Sequence, residues 1–225
     1  MTAAAQMTAK RVVANNLEAR GGAGKFAAIR SLSYAGTLEF GAGQSAPMSV
    51  WLTTRPARVR IEIQLPQGKM IEAYDGKRAW QIIPGEKAAA ILHGAAARRV
   101  RDQALNGADV VPNLHPRARL VGSGKRAGHR YYIISFAFAS GDVFTQSIDG
   151  KTWLAFHETY PGGAEEISSY QNSGDLLVPT QIVCGPQGQH TTTLHIQHTA
   201  FNAAIPAAMF QPPVAPRAAT RPGKP

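Results

Sequence analysis

The chain has 225 residues, a net charge of +10, a pI near 10.1 and one cysteine, Cys184. That length suits a single domain with a sizeable core, and one thiol excludes both an internal disulfide framework and a cysteine-based zinc site. The 24 Lys and Arg are scattered, with Arg98-Arg99-Val100-Arg101 their one local cluster, and no recognition helix or base-stacking motif accompanies them, so no nucleic-acid partner is expected.

No run approaches the roughly 20 apolar residues of a membrane-spanning helix, and Lys10-Arg11 stand where the apolar part of a signal would be. The chain therefore reads as soluble, with any export signal expected to have been removed ahead of Met1. Residues 7–20 read as an amphipathic helix with Thr8 as N-cap, Val13 and Leu17 on one face, and Gly21-Gly22 as the stop. A short second helix runs over 24–30 through Phe26 and Ile29. Residues 1–30 thus form a helical segment of the same domain as 31–213.

Strands follow. Leu32, Tyr34, Leu38 and Phe40 alternate with polar residues over 31–40, as do Met48, Val50 and Leu52 in the next run and Val59, Ile61, Ile63 and Leu65 in the third. Arg55-Pro56 and the Pro66 to Gly68 turn separate them, giving a meander with one apolar and one polar face. Over 69–83, two apolar runs flank Asp75-Gly76, the sign of a tight hairpin in which both turn residues take positive φ. That hairpin places Tyr74 and Trp80 on paired strands.

Pro84-Gly85 ends the hairpin, and residues 86–105 read as a helix through the stripe Leu92, Ala96, Val100 and Ala104, widened by Ile91 and Ala95 and closed at Asn106-Gly107. Residues 108–115 read as loop. Further strands are expected over 118–121, 130–139, 142–148, 152–160, 165–171, 178–184 and 191–199, separated by Gly-rich or charged turns. About eleven strands at this spacing require a curled sheet. The fold class is α+β, mainly antiparallel β, an open half-barrel with helices inserted. Met209-Phe210 is the last anchored point, and 214–225, rich in Pro and Ala, reads as a disordered tail.

Four stretches, in this order, carry a resemblance. They are Ala19-Arg20-Gly21-Gly22 leading through Phe26, Ile29 and Arg30-Ser31-Leu32 to Gly36-Thr37-Leu38; Arg55-Pro56 with Val59-Arg60-Ile61-Glu62; Ala73-Tyr74-Asp75-Gly76-Lys77 with Trp80; and Met209-Phe210-Gln211-Pro212-Pro213. Together they resemble the periplasmic lipoprotein-carrier superfamily, the LolA and LolB-like proteins, and most of all its uncharacterised outer-membrane lipoprotein-sorting-like members. The resemblance implies a half-barrel with helices as a lid over an apolar cavity for acyl chains, and a periplasmic location.

A curled sheet must fill its apolar inner side with helix or with ligand. The cavity residues expected on that basis are Tyr34, Leu38 and Phe40 from the first strand, Val50 and Leu52 from the second, and Ile61 and Ile63 from the third. Tyr74, Trp80, Ile82 and Leu92 complete the set, with the helix over 86–105 as a movable lid reached past Trp80. The partner implied is a lipid or an acylated lipoprotein, with peripheral contact of the Arg98 cluster with an anionic membrane; the alternative is a protein-interaction module of an envelope stress or assembly pathway that uses the same fold to contact an envelope protein. A monomer is expected.

No catalytic constellation is legible. Ser168-Ser169 lack a nucleophile elbow, no glycine-rich phosphate loop precedes a helix, and Glu165-Glu166, being adjacent, point to opposite faces. Cys184 reads as a small buried hydrophobe. His190, His195 and His198 invite a metal, but on a regular strand His195 and His198 face opposite ways. The expectation is a non-enzymatic binding protein without cofactor or metal.

Overall fold

A computed structural model describes residues 7–41, 43–105, 118–137, 141–186 and 189–213. The helix end at Asn106-Gly107, the loop over 108–115 and the tail over 214–225 lie outside the described residues.

Two helices open the chain, α1 (Ala9–Ala19) and α2 (Ala23–Ala27). The backbone N–H of Arg11 donates to Thr8 Oγ1, so Thr8 caps α1. Then come β1 (Ser31–Phe40), β2 (Gln44–Thr54), β3 (Ala57–Leu65), β4 (Gly68–Tyr74), β5 (Ala79–Ile82) and the two-residue β6 (Ala90–Ile91). Helix α3 (Gly94–Leu105) leads to the second half: β7 (Arg119–Arg126), β8 (His129–Ala137), β9 (Val143–Asp149), β10 (Ala155–Tyr160), β11 (Gly163–Ser173), β12 (Leu176–Gly185) and β13 (Thr192–Phe201). A 3-10 turn, Ala207–Phe210, ends the described chain.

The thirteen strands of the described residues form one antiparallel sheet, in the order β6-β5-β4-β3-β2-β1-β13-β12-β11-β10-β9-β8-β7. It is two meanders joined where β1 pairs with β13, and it stays open, with β6 and β7 as its edges. Leu32, Tyr34, Val50, Leu52, Val59 and Ile61 share the inner face, as cross-strand partners Leu32↔Leu52, Leu52↔Val59 and Val50↔Ile61 require. The helices lie on that face. Val12 of α1 packs with Ile134, Phe136, Phe144 and Ile148, while Val100 and Ala104 of α3 join the cluster of β1–β3.

Four readings of the sequence need correction. The Asp75-Gly76 turn spans four residues, because β4 and β5 pair from Tyr74↔Ala79. Of the two, Gly76 alone takes positive φ (98°), while the Asp75 carboxylate accepts the backbone N–H groups of Lys77 (2.8 Å) and Arg78 (2.7 Å). Second, α3 begins at Gly94, not at residue 86. The Pro84-Gly85 turn returns the chain along β5, where Ala90 and Ile91 pair with Gln81 and Trp80 and satisfy an open edge before a helix can start. The buried stripe of α3 is accordingly Ala97, Val100 and Ala104, and Ala95 and Ala96 are exposed.

Third, β7 runs on to Arg126 where alternation suggested an end at 121. Gly124 hides the strand from any side-chain pattern, and a Cβ there would sit 2.5 Å from the Tyr131 hydroxyl. Last, a β-bulge between Ala35 and Gly36 resets the register of β13, so that His195 lies opposite Thr37 and His198 opposite Ala35. The two histidines therefore share the outer face instead of pointing apart. At Gly36 a Cβ would stand 1.9 Å from the His195 carbonyl oxygen, which only glycine permits.

The stretches that carried the resemblance assemble into two clasps. On the outer face, the Trp80 indole N–H donates to the Phe210 carbonyl (2.8 Å), Arg60 Nη1 donates to the Met209 carbonyl (2.9 Å), and the Arg60 guanidinium lies 5.5 Å over the Trp80 ring. Phe210 is fully buried. On the inner face, the buried Arg20 donates from Nε to the Leu177 carbonyl (3.0 Å) and lies between the rings of Phe26 (5.3 Å) and Tyr170 (5.5 Å).

Candidate ligand-binding cavity

Between α3 and the inner face lies a cavity of about 670 Å³, inside the ~300–1,000 Å³ range of small-molecule sites. One wall is apolar: Met48, Ile61, Ile63 and Met70 from β2–β4, facing Phe144 and Cys184 from β9 and β12. The other is the flank of α3 that carries Ala95, Arg98, Arg99, Asp102 and Gln103. These positions recur at helical spacing opposite the buried stripe Ala97, Val100 and Ala104, so α3 lays its small apolar face on β2–β5 and turns its charges inward. Pro161 and Gly162 of the β10–β11 turn, with Pro186 beyond β12, border the cavity at one end of the sheet.

Ion pairs tie the charged flank to both halves of the sheet. Arg99 Nη2 lies 2.7 Å from Glu72 Oε1 of β4, and Arg98 Nε lies 3.8 Å from Asp142 Oδ2, just ahead of β9. Arg101 contacts Asp102 at 3.0 Å. Burial, and then a hydrogen bond to Asp142, hold the Asp102 carboxyl above its ordinary value against the opposing pull of Arg101.

Deeper in, two glutamates meet. Glu158 and Glu165 are direct cross-strand partners on β10 and β11, both buried, and Gln146 Nε2 donates to Glu158 Oε1 at 2.7 Å. Glu165 lines the cavity and is also the cross-strand partner of Cys184. The sequence put Glu165 and Glu166 on opposite faces, and the register agrees, but the partner that mattered, Glu158, lay across a hairpin turn at Pro161-Gly162. Cys184, half-buried at the cavity, is not the isolated apolar filler it was expected to be.

Of the expected cavity residues, Ile61 and Ile63 line it. Tyr34, Val50 and Leu52 are on the same face but buried in the main core, with Leu38, Phe40, Tyr74 and Leu92 packed against that core. Trp80 and Ile82 belong to the other side of the sheet, clustered with Ile71 and Ala73. The reason is register: Trp80 pairs with Ala73, not with Tyr74, and so shares the outer face. The way in therefore does not pass Trp80. Sequence reasoning missed Met48, Met70 and Phe144, and missed Asp102 and Gln103 beside the Arg98 and Arg99 it had singled out. The alternation of β2 already gave Met48.

His195 Nε2 stands 3.4 Å from Glu39 Oε2 on the outer face. Among the described residues no group of three or more His, Cys, Asp or Glu is placed to hold a metal ion, and no helix is long and apolar enough to cross a membrane.

No family model matches the chain, and no curated protein matches it in sequence. Solved structures do. A LolA superfamily protein from Nitrosomonas europaea superposes with a TM-score of 0.61 over 92% of this chain and 98% of that one, at 12% identity. A DUF1329 family protein from Desulfovibrio piger gives 0.59 over 90% and 97%, at 11% identity. The protein has the LolA-like fold. At these identities the likeness is one of architecture, and it agrees with the resemblance carried by the two clasps.

Proposed function

We propose that the protein is a non-catalytic periplasmic binding protein that holds the alkyl chain of a lipid, free or attached to a lipoprotein, as carrier or sensor. The observation that carries this reading is the division of the cavity into an apolar wall and a charged helix flank, the pattern an amphiphile needs. The alkyl chain lies against Met48, Ile61, Ile63, Met70 and Phe144, each buried methylene contributing about 0.8 kcal/mol. An anionic head group lies at Arg98 and Arg99, in competition with Asp142 and Glu72.

Uptake of a fluorescent fatty acid, read with a native mass spectrum of gently purified protein, tests it. Ile63→Glu should abolish uptake by placing a carboxylate in the apolar wall, and Trp51→Phe, half-buried on the outer face, should leave it intact. Wild-type protein that takes up no fatty acid and co-purifies with no lipid would overturn the reading.

A further inference from the structure

In an antiparallel meander successive turns alternate between the two ends of the sheet. The β2–β3, β4–β5, β7–β8 and β9–β10 turns therefore share one end, and the turns that border the cavity share the other. The first end is basic. Arg55, Lys77, Lys125, Arg126, Arg130 and Lys151 are all exposed there and form no ion pair among the described residues, whereas the cations at the cavity, Arg98 and Arg99, are paired. The carboxylates of the turns at this end are engaged. Asp75 is buried on its own turn, Asp149 accepts from the N–H groups of Lys151 and Thr152, and Asp175 pairs with Lys25.

The β7–β8 hairpin concentrates the charge. Ala127 (φ 48°) and Gly128 (φ 79°) close a two-residue turn, and the register then sets Lys125 directly opposite Arg130 and Arg126 opposite His129. Like charges directly across a strand pair destabilise it. Arg126 is partly compensated by lying over the Phe156 ring at 4.3 Å, but Arg130 and Lys125 face water and form no ion pair among the described residues. Amphipathic aromatics stand beside the cations. Trp153 of the next turn stacks on Tyr132 at 5.8 Å, and Tyr131 meets Phe156 edge-on at 5.5 Å. Cations spread along a row of turns, with half-buried Trp and Tyr beside them, match an anionic lipid surface in charge.

We infer that this basic end docks the protein on an anionic lipid bilayer, with Lys125, Arg126 and Arg130 at its centre and the turns that border the cavity at the end away from the membrane. The inference does not depend on the cavity's ligand.

Sedimentation with vesicles of 30 mol% phosphatidylglycerol in phosphatidylcholine, against vesicles of phosphatidylcholine alone, tests it. Binding should require the anionic lipid and disappear as salt rises, since each cation at such a surface contributes roughly fivefold in affinity. The triple variant K125Q/R126Q/R130Q should bind about 100-fold more weakly while its melting temperature holds or rises, because the Lys125–Arg130 like-charge pair is gone. The variant R119Q/K87Q, altered at the opposite end, should bind as wild type does. Fatty-acid uptake in vesicle-free solution should survive the triple substitution, which separates failure of docking from failure of the cavity reading. No sedimentation at low salt, equal losses from both variants, or tighter binding to a DNA duplex than to the vesicles would overturn the inference.

Discussion

Helix α3 is held to the sheet by very little, and Val100→Ala should expose that. Val100 is fully buried, Ala104 nearly so, and Ala97 half-buried. At about 0.8 kcal/mol per buried methyl group, the valine contributes roughly 2 kcal/mol and the two alanines together roughly 1. The ion pairs Arg99–Glu72 and Arg98–Asp142 have arginine side chains 60% and 50% exposed, so each adds at most about 1 kcal/mol. An alkyl chain that buries five methylenes gains about 4 kcal/mol, enough to compete with the whole apolar contact of the helix. Removing two methyl groups at residue 100 should cost about 2 kcal/mol and accelerate opening of α3 by roughly 30-fold. Amide hydrogen exchange followed peptide by peptide reads this directly: residues 97–105 should exchange faster, while β1, β2 and β3 stay as in wild type. Acceleration spread evenly over the sheet, or none in α3, would refute the local hold-down argument.

Trp80→Phe keeps the ring packing but removes the donor to the buried Phe210 carbonyl, and should lower stability in urea by about 1–3 kcal/mol without changing fatty-acid uptake. Gly36→Ala should yield no folded protein, judged by near-ultraviolet circular dichroism, because its methyl group would meet the His195 carbonyl at 1.9 Å across β1 and β13. Asp102 is held above its ordinary value of 3.8 by burial and by Asp142, so the proton it keeps stabilises α3 below that value and the contribution is lost as pH climbs through the raised one. Asp102→Asn should therefore raise the melting temperature at pH 7 and change it little at pH 3.5. Cys184 lines the cavity, so its rate of labelling by a thiol reagent should fall when fatty acid is added.

Much of the fold was legible because β1, β2 and β3 bury one face and leave the other polar, so a period of two survives in the sequence and fixes both strands and register. Where a local device replaced that pattern, the reading failed. The extra residue in β13 turned His195 and His198 to one face, and no composition signal marks such a bulge. Gly122, against Ile133, and Gly124, against Tyr131, left β7 without alternation. Two residues of edge pairing, Ala90 and Ile91, delayed α3 to Gly94, which took Ile91 and Leu92 out of the helical stripe expected to hold it.

The residues that carried the resemblance and the residues that line the cavity are almost disjoint, with Ile61 common to both. Arg20, Arg60, Trp80 and Phe210 hold the ends of the chain onto the sheet through buried hydrogen bonds and ring contacts that tolerate few substitutions. Met48, Ile63, Met70 and Phe144 ask only for apolar volume, which many side chains supply. Sequence patterns of this fold therefore report the clasps and are nearly silent about cargo. What would select an amphiphile is the cavity itself: an apolar wall on one side, and across from it a helix whose charged stripe is paired to both halves of an open sheet.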